Sequence, residues 1–239
     1  MSSIIHFTKE YNVLRSILTD CSFTLKYCRE VFYLADKISS NAVHPMVCFS
    51  EQIIKNIDKK NITYGKFGIG LSKEWSEKAK VHPVLYLDRN SHVANALSLL
   101  LKARRKNADV ELAPDVRLSI MTIKCFTKNS IGYNSYFKME NFDFKSEKEW
   151  RYVPTKTDID NNLISRNKKQ YDRNPKLYND KIRKFPLKFS TNDIEYLFVE
   201  TEEQRREISK EFGINMNIIK ISKWTTQLKK AKAPRGNGL

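Results

Sequence analysis

The stretch "YGKFGIGLSKEW", residues 64–75, holds three of the seven glycines of a lysine-rich chain, Gly65, Gly68 and Gly70. "KFGIGL" reads as a strand or strand-like turn, and "SKEWSEKA" (72–79) opens a helix with Ser72 as its N-cap. A strand that runs straight into a capped helix is the join from which a mixed fold is built. The glycines have two readings. They give a tight turn room, or they let the backbone approach a ligand closely. The aromatic neighbours Tyr64, Phe67 and Tyr86 suit the second, because flat rings stack on a heterocycle, and equally suit ordinary core packing. The spacing matches neither a phosphate-cradling P-loop nor a dinucleotide fingerprint.

Working outward, "SIIHFT" (3–8) reads as a strand with Ile5 and Phe7 on one face and Ile4, His6 and Thr8 on the other. A helix follows, its stripe made by Leu14, Ile17, Leu18 and Cys21. "HPMVCFSE" (44–51) and "HPVLYLD" (82–88) read as strands, and 91–106 as a helix with Val93, Leu97, Leu100 and Leu101 inward. A helical or mixed segment spans 112–127, and 136–144 and 147–154 read as consecutive strands. Residues 155–190 carry no clear period and form a basic loop or flap; between Arg166 and Lys188 lie nine basic and two acidic residues. A strand at 193–200, a capping box at Thr201 and a strand at 215–222 complete the pattern. The expected fold is α+β: a single domain over 1–222 with mixed, mainly antiparallel sheets flanked by helices, and a basic, flexible tail over 223–239.

Forty-three Lys and Arg against 27 Asp and Glu give a net charge of +16, which favours polyanions such as RNA or DNA. Candidates for that contact are Lys168, Lys169, Arg173, Lys181, Arg183 and Lys184. A hydrophobic content of 41% belongs to a folded protein. No apolar run reaches membrane-spanning length and no secretory signal is visible, so the cytoplasm is the expected location. Four cysteines without a CxxC pair read as small buried hydrophobes, and no metal site is expected.

The segment "SEKEWRYV" carries the candidate chemistry. As a strand it puts Glu147, Glu149 and Arg151 on one face, the carboxylates about 7 Å apart by strand rise, and leaves Trp150 and Tyr152 to the core. The bland reading is a charge-laced edge strand. The functional one is a carboxylate that grips a sugar hydroxyl or stabilises a developing cation. His6 and Thr8 could add hydrogen bonds to an amide or ribose.

In order, "HFTKEYNVLRSIL", "PMVCFSE", "YGKFGIGLSKEW", "HPVLYLD" and "EKEWRYV" resemble the AbiGi family of bacterial abortive-infection proteins over roughly residues 3–155, with "DIEYLFVE" fitting more weakly. That resemblance implies an antitoxin paired with a nucleotidyltransferase-type toxin. A more distant similarity is to the ADP-ribosyltransferase fold, and it implies transfer of ADP-ribose from NAD to a nucleic acid or protein. Under it, His6 and Thr8 would bind the adenosine-side ribose, and Gly68 to Gly70 with Ser72 would approach nicotinamide. Glu149 would hold the nicotinamide ribose and Glu147 the acceptor, with Arg151 alongside. Leu71 stands where that fold often has tyrosine, so Tyr64 or Phe67 would do the stacking. The alternative is an inactive antitoxin that binds a toxin, operator DNA or both.

Overall fold

The computed structural model describes residues 2–105, 111–134 and 138–226. The opening stretch lies inside its main sheet. Strand Phe67–Leu71 is wholly buried. It pairs antiparallel with the N-terminal strand Ser2–Thr8 on one side and with Ile194–Val199 on the other. Beyond Ile194–Val199 lies the parallel edge strand Ile219–Ile221. Beyond Ser2–Thr8 come the end of a long strand, Lys37–Ile53, then Glu149–Tyr152 and His82–Pro83. The beginning of the long strand forms a hairpin with Lys26–Leu34 and also pairs Arg166–Asn167. The architecture is mainly antiparallel α+β.

Residues directly opposite in an antiparallel ladder share a face, so the register fixes which side chains can meet. Ile5 pairs with Ser50 and Ser50 with Glu149, while Cys48 pairs with Arg151. Ile5, Ser50, Glu149, Cys48 and Arg151 therefore occupy one face. His6 pairs with Ile69 and Thr8 with Phe67, on the opposite face. That second face carries the main core. Ile4, Ile69, Leu197 and Phe49 pack there against Leu14, Ile17 and Leu18 of helix Tyr11–Asp20, Trp75 of Lys73–Lys78 and Ile208 of Glu202–Phe212. A smaller cluster of Ile5, Ile57, Ile62, Phe198 and Trp224 lies on the first.

The glycines answer to packing. A Cβ on Gly68 would sit 3.1 Å from Ile5 Cγ2 and 3.2 Å from Phe7 Cδ1, and one on Gly70 would sit 3.3 Å from Tyr196 Cβ. Their missing side chains let the side chains of the neighbouring strands lie across the ladder. Gly65 has φ +134° and a Cβ there would meet Thr8 O at 2.0 Å. Its carbonyl accepts the Trp224 indole N–H at 2.9 Å. The expectation that this segment clears space for a ligand is corrected: protein atoms fill the space.

Ser72 caps its helix as expected, accepting from Trp75 N at 3.1 Å. The capping box at Thr201 also forms. Four expectations change. Helix His92–Ala103 buries Ala94, Leu97, Ser98 and Leu101, whereas Val93 and Leu100 are exposed. Two weakly apolar positions, Ala94 and Ser98, carry the close approach there, and Lys106 lies outside the described residues. The flap at 155–190 contains helices Lys168–Tyr171 and Pro175–Arg183, each started by an asparagine cap, at Asn167 and Asn174. The strand at 82–88 is broken into His82–Pro83 and Leu85–Leu87, and 215–222 is a strand only over Ile219–Ile221. Part of the expected strand 136–144 and residues 227–239 of the tail lie outside the described residues. Among those described, no helix is long and apolar enough to cross a membrane.

Candidate functional site

Glu149 begins its strand directly after a 3-10 turn, Phe144–Glu147, and a left-handed Lys148 with φ 45°. Glu147 is thus not on the strand, as alternation predicted, yet the turn brings it back beside Glu149. One cation joins them: Lys128 Nζ lies 2.9 Å from Glu147 Oε2 and 3.0 Å from Glu149 Oε2. Tyr64 donates its hydroxyl to Glu147 Oε1.

Arg151 is completely buried, and its guanidinium reaches in three directions. Nε donates to Glu149 Oε1 at 2.7 Å, NH1 to the Cys125 carbonyl at 2.7 Å, and NH2 to Glu30 Oε1 at 2.6 Å and Glu149 Oε2 at 3.1 Å. The Glu149 backbone N–H donates to the Tyr86 hydroxyl at 2.9 Å. Trp150 and Tyr152 pack against the main core as expected, half-buried, while Glu149 and Arg151 on the other face are buried. The ionic face is buried as well, because the acceptors around the guanidinium offset the cost of taking it out of water.

The charges follow. Burial alone would raise the Glu149 carboxyl, but Arg151 and Lys128 outweigh it and bring it down from 4.5 to about 2. Burial alone would lower Lys128, but Glu149, Glu30 and Glu147 raise it. A carboxyl depressed on folding stabilises the protein above its unfolded value and loses that contribution as pH falls through its folded value. Wild-type stability should therefore drop between pH 4.5 and 2. In urea titrations at stepped pH, Glu149→Gln should flatten that part of the profile; an unchanged slope would remove Glu149 as the cause.

His6 does not join this network. It lies on the opposite face of the sheet, its Nδ1 donating to the Cys48 carbonyl at 2.8 Å and its ring 4.8 Å from that of Phe23. Burial lowers its pKa, and its half-buried ring packs against Phe23 and Phe49. Thr8 and Phe67 share its face, Phe67 buried against Tyr11. Gly68 and Gly70 are occupied by packing and Ser72 by capping. Of the candidate residues, the fold gathers Glu147, Glu149, Arg151 and Tyr64 and separates the rest. NAD held between His6 and Glu149 does not fit these residues, since a sheet stands between them. The basic candidates Lys169, Arg173, Lys181, Arg183 and Lys184 are exposed, and Lys168 pairs with Asp172.

Beside the network opens a cavity of about 520 Å³. Tyr64 and Glu147 line it, together with Lys128, Glu30, Arg29 and Tyr133. Glu30 and Lys128 escaped the sequence reading, because no spacing rule links 30, 128 and 151. Only the three-dimensional pairing of a hairpin, a short strand and a late strand does so.

These features define a mainly antiparallel α+β protein with a buried, mutually paired ionic centre and an adjacent ligand-sized cavity. The model of the family described as abortive phage resistance protein AbiGi, antitoxin, matches residues 21–200. The chain belongs to that family. The match begins after "HFTKEYNVLRSIL" and extends beyond residue 155, through the strand Ile194–Val199. No curated protein and no solved structure matches the chain.

Proposed function

We propose that this chain is the antitoxin half of an abortive-infection pair and acts by binding a toxin of the nucleotidyltransferase type rather than by catalysis. The observation that carries this reading is the state of Glu149. Both of its oxygens are held by Arg151, and Lys128 adds a third donor. A carboxylate so engaged supports the fold and offers little to a substrate hydroxyl. The other reading, ADP-ribosyl transfer from NAD, needs Glu149 free and His6 in the same cleft. The exposed positive charge of the Pro175–Arg183 helix and its flanks supports a further contact with operator DNA or RNA through Lys169, Arg173, Lys181, Arg183 and Lys184.

Co-expression with the neighbouring toxin tests the proposal. Growth should be restored by the wild type and equally by Glu149→Gln, and the purified protein should be retained on heparin at low salt and released as salt rises. Persistent toxicity despite soluble antitoxin would overturn the binding role. Transfer of label from NAD to RNA, DNA or lysate protein, abolished by Glu149→Gln, would replace it with the enzymatic one.

A further inference from the structure

We infer that the cavity beside the ionic centre binds a guanine nucleotide, a property independent of toxin neutralisation. A volume of about 520 Å³ is of the size that takes a small ligand. The lining selects the chemistry.

The deciding group is Glu30. Its side chain is 11% exposed, and Oε1 accepts from Arg151 NH2 at 2.6 Å. Oε2 has no hydrogen-bond donor among the described residues, and the residue lines the cavity. An ionised carboxylate only accepts, so a ligand meeting it must bring N–H or O–H donors. The nearby amide of Asn129 is not available to read a ligand. It is spent on the Tyr33 backbone, accepting from N at 2.8 Å and donating to O at 3.1 Å. Guanine carries two adjacent donors, N1–H and the 2-amino group, which match Oε2 and the second lone pair of Oε1, the first being taken by Arg151. Adenine and uracil lack that pair.

The remaining lining fits a base and its phosphate. Tyr64 and Tyr133, 47% and 48% exposed, offer ring surface for stacking. Phe144 is less suited, because Lys128 Nζ already lies 4.3 Å from its centroid. Lys9 and Arg29 put positive charge on the same cavity. The Arg29 side chain is exposed and held by a hydrogen bond from Nε to Asn41 Oδ1 at 3.3 Å, which leaves the guanidinium end to a phosphate.

Calorimetric titration of the full-length protein with GMP, AMP, UMP and inorganic phosphate tests this. GMP should bind at least about tenfold more tightly than AMP, as expected where a paired hydrogen-bond match is lost. Tyr133→Ala and Arg29→Ala change exposed side chains, so they should fold normally and weaken GMP by about tenfold, the scale of one lost stacking partner or phosphate contact. Glu30→Gln should narrow the difference between GMP and AMP. No heat with any nucleotide at millimolar concentration, equal binding of GMP and AMP, or full GMP affinity in both exposed variants would each overturn the inference. Growth rescue by the antitoxin would be unaffected by such a failure, so the two readings fail separately.

Discussion

Arg151→Ala should lower the unfolding free energy by about 3–5 kcal/mol, the scale of breaking a buried ion pair from one side. The side chain is entirely buried and ties its own strand to strand Lys26–Leu34 through Glu30 and to the end of helix Pro114–Cys125 through the Cys125 carbonyl, while also holding Glu149. Truncation leaves Glu30 and Glu149 without their hydrogen-bonded cation, with only the amines of Lys128 and Lys124 nearby, and leaves a cavity where the guanidinium lay. Two carboxylates stripped of their partner in a low-dielectric interior are costly. Single domains have about 5–15 kcal/mol in hand, so the variant should sit near the edge of folding. Urea denaturation at neutral pH reads the effect. A loss under about 1 kcal/mol, as for a solvent-screened surface pair, would show that the network contributes little.

Gly65→Ala should cost at least about 3 kcal/mol, combining backbone strain with a steric clash. Its φ of +134° is a conformation that residues with a Cβ rarely adopt, and the new atom would overlap the Thr8 carbonyl, which belongs to a paired strand and cannot step aside. The Trp224 indole also bonds the Gly65 carbonyl, so any shift of the turn disturbs the smaller core cluster. Gly213 provides the internal comparison. It also has positive φ, +65°, but a Cβ there would meet nothing within 4 Å. Gly213→Ala should cost only about 1–2 kcal/mol, the left-handed penalty alone. Thermal melts of the two variants should therefore differ clearly. Equal losses would mean that the contact with Thr8 relaxes freely.

The sequence was legible where local rules act. Alternation gave the faces of the N-terminal strand correctly, Ser72 and Thr201 formed their caps, and the apolar stripe of Leu14, Ile17 and Leu18 is buried. It was least legible where distance in sequence had to be bridged. His6 and Glu149 look like partners when read in order, but nothing local reveals that a single residue of offset in the ladder puts them on opposite sides of a sheet. The Glu149 face looked solvent-exposed because it is charged; it is buried because Glu30 pairs with Arg151 and Lys128 with Glu149, both from segments without a pattern of their own. The AbiGi resemblance was carried by ordered short segments and holds across residues 21–200.

The order of the main sheet has a consequence for how the chain is made. Strand Phe67–Leu71 finds one neighbour in Ser2–Thr8, already synthesised, and the other in Ile194–Val199, more than a hundred residues downstream. During translation its outer edge stays bare until Ile194–Val199 has left the ribosome, and open edges recruit other strands. A message truncated before the codon for Ile194 would thus yield an adhesive fragment.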